Sequence, residues 1–91
     1  MDDQIITLRT LIDAVDRKIL SQLIDRLKIS AQLGQLKQEL QLPVDDSARE
    51  SEIIQQLANE CNGSLSETQI RNLFKEIFQL SKSQQLKKHR S

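Results

Sequence analysis

From Ile5 to Leu40 the sequence holds nothing that would end a helix: Pro43 is the only proline, and Gly34 is the only glycine ahead of it. With Ile5 at position a, the a and d positions of a heptad are Ile5, Leu8, Ile12, Val15, Ile19, Gln22, Arg26, Ile29, Leu33, Leu36 and Leu40. Nine of those eleven are apolar, which predicts one continuous helix with an apolar seam. At about 1.5 Å per residue that helix is roughly 54 Å long. A compact domain of about 100 residues has a radius of gyration of only about 13 Å, so a chain of 91 residues cannot cover the whole seam by itself. The seam predicts a partner chain. Its two polar members, Gln22 and Arg26, fall in the middle, and an arginine in an apolar seam needs an anion.

The rest of the chain is predicted to be helical too. Two aromatics, two glycines and one proline leave little for sheets and tight turns, so the fold class is all-α. Residues 41–45, Gln-Leu-Pro-Val-Asp, form a break, because the residue before a proline is pushed out of the α region. A short second helix begins near Ser47, where Ser47 and Glu50 have capping-box spacing and Asp46 is the alternative cap. Ile53, Ile54, Leu57, Ala58 and Cys61 give it an apolar stripe, and Asn62-Gly63 can close it. A medium third helix opens on a second capping-box spacing, Ser66 with Gln69, and Leu65 and Ile70 are spaced to form a staple over it. Its stripe runs through Ile70, Leu73, Phe74, Ile77 and Phe78, then continues geometrically into the polar Ser81 and Gln85. The basic tail, residues 86–91, is predicted to fray. Residues 1–91 show no internal repeat and read as a single domain.

Thirteen basic and thirteen acidic side chains cancel, so no global field draws the chain to nucleic acid. A lone cysteine builds no disulfide framework and suits a reducing compartment. The acidic start, Met-Asp-Asp-Gln, resembles neither a signal peptide nor a membrane span, and the expected location is the cytoplasm. Cys61 and His89 lack the companions that a metal site or a nucleophilic pair requires, and there is no glycine-rich phosphate loop. No metal or cofactor is expected.

Polar residues interrupting apolar faces are the candidates for function. Arg26 either sets the register of a coiled coil or clamps an anion. Lys37, three turns on and almost on the same face, is either a solvated lysine or the second grip on a small anion, with Ser30, Ala31 and Gly34 leaving room. Ser81 and Gln85, at i and i+4, either mark where the stripe reaches solvent or line a polar pocket. Asp46, Arg49 and Glu50 either serve the start of the second helix or form a cluster at that pocket. Arg9 flanks the seam, where an ion pair with a partner chain is its simplest role. Cations, a carboxylate pair and neutral donors without a nucleophile suit binding a small polyanion and acting on it by position and electrostatics.

Leu8-Arg9, Ile12-Asp13, Asp16, Asp25-Arg26, Gly34 with Lys37, the run from Pro43 to Glu50, and Ser81 with Gln85 occur in a specific order and spacing. Over about Leu8 to Gln85 this pattern resembles the all-helical class of chorismate mutases. The resemblance implies an intertwined homodimer of three-helix chains that converts chorismate to prephenate, on the path to phenylalanine and tyrosine. Arg26 would then bind one substrate carboxylate with help from Ser81, and Arg9 would bind the second in the other subunit's site. Lys37 and Gln85 would serve the ether oxygen, Asp46 and Glu50 the ring hydroxyl, and Arg49 would support that corner. Leu27 departs from the pattern, since relatives often have a second arginine there. The rival readings are an isochorismate–pyruvate lyase of the same fold and a helical dimerisation module without catalysis.

Overall fold

The computed structural model describes residues 2–89, with side chains through residue 87. Every regular element among them is a helix: α1 is Asp3–Glu39, α2 is Ser47–Glu60 and α3 is Glu67–His89. The third helix therefore takes in part of the basic tail, and Arg90 and Ser91 lie outside the described residues.

Each boundary has a local cause. The Asp2 carboxylate accepts from the backbone N–H of Gln4 at 2.7 Å and of Ile5 at 3.4 Å, which caps α1. At the other end Gln41 adopts a left-handed φ of 58°, so that Leu42 N donates to Lys37 O and Gln41 N to Gln38 O. This is a Schellman closure made without glycine. The start of α2 differs from the predicted Ser47–Glu50 capping box. Asp46 is the cap, accepting from Arg49 N at 3.0 Å, and Glu50 turns instead to Lys82 on α3. A carboxylate already in place one residue earlier satisfies the free helix N–H and releases Glu50 for a tertiary contact. The box at α3 does form, with Ser66 N donating to Gln69 Oε1 and Gln69 N to Ser66 Oγ.

The three helices share one centre, α3. Contacts between α1 and α3 climb together, from Arg26–Ser81 to Lys37–Gln85, so these helices run parallel and α2 returns between them in sequence. The apolar core is small and lies between α2 and α3: Ile54, Ile70 and Phe78, backed by Ile53, Leu57, Ala58, Cys61 and Phe74. The Phe74 and Phe78 rings meet at 5.8 Å with a 55° tilt.

Among the described residues, nothing covers the first half of the seam. Ile5, Leu8, Ile12, Val15 and Ile19 remain between 45 % and 60 % exposed. The chain is correspondingly extended, 57 × 28 × 16 Å, with a radius of gyration of 16.8 Å. Exposed apolar strips of this length are the kind of surface through which proteins associate. The uncovered seam is the dominant feature of the fold.

The left-handed Gln41 generates a stability prediction. A residue with a Cβ in this conformation costs about 1 kcal/mol relative to glycine. Gln41→Gly is expected to raise unfolding free energy by roughly 0.5–1 kcal/mol after the added freedom of the unfolded chain is counted. Urea denaturation read by circular dichroism checks this, and a drop in the midpoint would contradict it.

Candidate active site

The site begins with a missing side chain. Where α3 crosses α1, a Cβ on Gly34 would stand 2.5 Å from Gln85 Cα and 2.6 Å from Gln85 O. The two backbones therefore touch, and only glycine permits that approach. The contact draws the last turns of α1 and α3 together and buries Ser30, Ser81 and Gln85 against each other.

Each buried polar group there has a partner. Ser30 Oγ and Ser81 Oγ share a hydrogen bond of 2.9 Å, and Arg26 Nη1 donates to Ser81 Oγ. The Arg26 guanidinium also lies 5.7 Å from the Phe78 ring centroid, within cation–π range. Lys37 Nζ donates to Gln85 Oε1 at 2.9 Å and to Val44 O at 3.1 Å. An ammonium carries three donors, so one is left over. Because Lys37 takes the carbonyl end of the Gln85 amide, the NH2 end is the one left to donate.

These groups face a cavity of about 470 Å³ whose other walls combine apolar side chains, including Ile29, Leu33 and Ile53, with charged ones. Of the sequence-derived candidates, Arg26, Lys37, Asp46, Arg49, Glu50, Ser81 and Gln85 all line it. Arg9 does not. It is 17 positions before Arg26 on the same helix, about 25 Å away along the axis.

Two pKa directions follow from this layout. Burial, and then the charge of Arg49, press Arg26 below its ordinary value. Arginine remains protonated regardless, so the strain is relieved only by an anion. Lys82 moves the other way, raised first by its hydrogen bond to Glu50 and then by that to Asp45. Its Nζ lies 3.2 Å from Glu50 Oε2 and 3.3 Å from Asp45 Oδ1.

Lys82 is the pocket residue that sequence reasoning missed. The available signal was two acidic residues, Asp45 and Glu50, lacking an assigned cation while a lysine followed Ser81 directly. Ser30 was read only as small, whereas it is also a hydrogen-bond partner of Ser81. Among the described residues no cluster of His, Cys, Asp and Glu is arranged to hold a metal ion, and no helix is long and apolar enough to cross a membrane.

A family model described as chorismate mutase type II matches residues 8–86. The chain belongs to that family. A solved structure titled a conserved hypothetical protein from Pyrococcus furiosus is 34 % identical, with a TM-score of 0.77 over 93 % of this chain and 99 % of that one. No curated protein matches at a significant level. The matched region of the chorismate mutase type II family begins before Arg9 and ends just after Gln85, so it contains every candidate residue.

The backbone contact at Gly34 can be tested directly. Gly34→Ala gains up to about 1 kcal/mol of helix propensity but must force two backbones apart, a clash costing roughly 1–3 kcal/mol or more. The expected result is a lower melting temperature together with weakened ligand binding at the pocket. A more stable protein with unaltered binding would contradict the crossing.

Proposed function

We propose that the pocket binds chorismate and rearranges it to prephenate, serving phenylalanine and tyrosine biosynthesis in the cytoplasm. The observation that carries this reading is the Lys37–Gln85 pair, fixed together with donors to spare, set in one pocket with Arg26 and Ser81. Chorismate is a compact dianion with a breaking C–O bond and a forming C–C bond in the same molecule. Its rearrangement needs no acid, base or cofactor in principle. Catalysis can then come from holding the reactive conformer and stabilising charge at the ether oxygen.

In this assignment Arg26, steadied by Ser81 and the Phe78 ring, pairs with one carboxylate in the fork geometry that arginine favours. The third Lys37 proton and the Gln85 NH2 group meet the ether oxygen as it becomes negative. Asp46 and Glu50 receive the ring hydroxyl, and Arg49 supports that corner. A millionfold acceleration requires about 8 kcal/mol of preferential stabilisation. One preorganised donor supplies about 3–4 kcal/mol of such a total.

The working unit in this reading is a homodimer with intertwined α1 helices. The uncovered seam supports it, as does the arginine, Arg9, carried on its flank. Arg9 of the partner subunit would bind the second carboxylate, completing each site from two chains. A cation set of this kind also suits isochorismate, so the products must be identified.

Supplying chorismate and isochorismate separately tests the reading, with prephenate expected from the first. Lys37→Ala is expected to lower kcat/KM about 10²- to 10³-fold. Salicylate plus pyruvate from isochorismate would instead indicate the lyase. Absence of turnover, with Arg26→Leu tightening the dimer, would indicate an assembly module.

Subunit sharing has its own readout. Arg9→Ala and Lys37→Ala proteins, each nearly inactive, are mixed after unfolding and refolded together. Random pairing makes half the dimers mixed and gives each of those one intact site, so about a quarter of parent activity is expected. Recovery of no activity would show that no site takes Arg9 from one chain and Lys37 from the other.

A further inference from the structure

Lys82 is a charged group in the pocket wall that the assignment above leaves unused. It follows Ser81 on α3 and bridges two carboxylates, Asp45 in the loop and Glu50 in the first turn of α2. We propose that Lys82 is a positioning residue that holds Glu50 at the rim and keeps it from occupying the guanidinium groups meant for substrate carboxylates. This inference rests on the chorismate mutase reading.

Three observations carry it. First, Glu50 is released from capping, because Asp46 already accepts from Arg49 N. Second, its side chain is only 28 % exposed, so it has lost part of its water and takes a cation within reach. Third, the pocket's other cations differ in how fully they are engaged. Lys37 holds Gln85 and Val44, and Arg49 pairs with Glu52. Arg26 donates to the neutral Ser81 and is pressed by burial and by Arg49, so it gains most from a carboxylate. Without Lys82, Glu50 is a carboxylate on the chain's own pocket wall that capping does not hold, since Asp46, the other one there, accepts from Arg49 N. Substrate would then have to displace it.

The two halves of the bridge are unequal. Asp45 is 86 % exposed, and an ion pair that far into water contributes little. Glu50 is the partner that matters. The pair also borders the open groove between α2 and α3, where Lys82, Glu50 and Phe78 recur as lining. Lys82 thus stands at the partition between groove and pocket. Its hydrogen bonds to Glu50 and then to Asp45 raise its pKa, so the bridge favours the charged lysine.

Steady-state kinetics on chorismate with Lys82→Gln, Lys82→Arg, Asp45→Asn, Glu50→Gln and the double variant Lys82→Gln/Glu50→Gln test this. Lys82→Gln is expected to raise KM about 5- to 10-fold with kcat changed less than about twofold, as loss of substrate binding requires. Lys82→Arg restores most of the parent KM, and Asp45→Asn leaves both constants unchanged. In the Glu50→Gln background, adding Lys82→Gln shifts KM by less than about twofold, because the effect travels through Glu50. Melting curves and sedimentation of each variant report fold and assembly. An unchanged KM, a rise that persists undiminished without Glu50, or a Lys82→Gln protein that fails to fold overturns the inference while an active parent upholds the mutase reading. A parent with no turnover overturns both.

Discussion

One helix is longer than the rest of the chain can cover, and the other features follow from that mismatch. Helix α1 has 37 residues, against 14 in α2 and 23 in α3. Helices of this kind owe most of their stability to packing rather than to propensity. Because α3 runs parallel to α1 and packs against its later turns, the earlier turns keep their apolar residues in water. The same helix therefore carries an exposed apolar strip at one end and one wall of a polar pocket at the other. In the proposed dimer those two ends meet, each chain's exposed start reaching the other's pocket.

The pocket is built by subtraction and then by pairing. Leaving out a side chain at Gly34 brings two backbones together, and small hydroxyls at Ser30 and Ser81 fill the neighbouring turn. Long charged chains then lean over this tight crossing from both directions, Arg26 from before it and Lys37 from after it. Each is already held by a neutral partner. A neutral partner orients a cation without cancelling its charge, so the field remains available to an arriving anion.

Much of this was legible in the sequence, and the physical reason differs from one residue to the next. Helix α1 was readable because nothing between Ile5 and Leu40 breaks it, and its seam because the heptad is nearly unbroken. Arg26, Ser81 and Gln85 stood out as polar residues on apolar stripes, and all three line the pocket. The cap of α2 was ambiguous because Asp46 and Ser47 are equally good locally. The choice depends on whether Glu50 has a better partner elsewhere, and that partner, Lys82, belongs to another helix. Lys82 escaped notice since a lysine near a helix end breaks no pattern. Gly34 could be read as small, but the 2.5 Å approach behind it is a tertiary fact.

Lys37 is tied to the connecting segment twice over. Its backbone carbonyl accepts from Leu42 N, closing α1, while its ammonium donates to Val44 O two residues further along. The residue whose carbonyl closes α1 and the residue whose ammonium lines the pocket are the same one. Pro43, seated between those two anchors, limits how the segment can bend. Any substitution that shifts residues 41–44 therefore displaces a cation in the pocket, even when it touches no ligand. In the proposed reaction, a substitution of Lys37 therefore removes a donor and loosens a helix end at once.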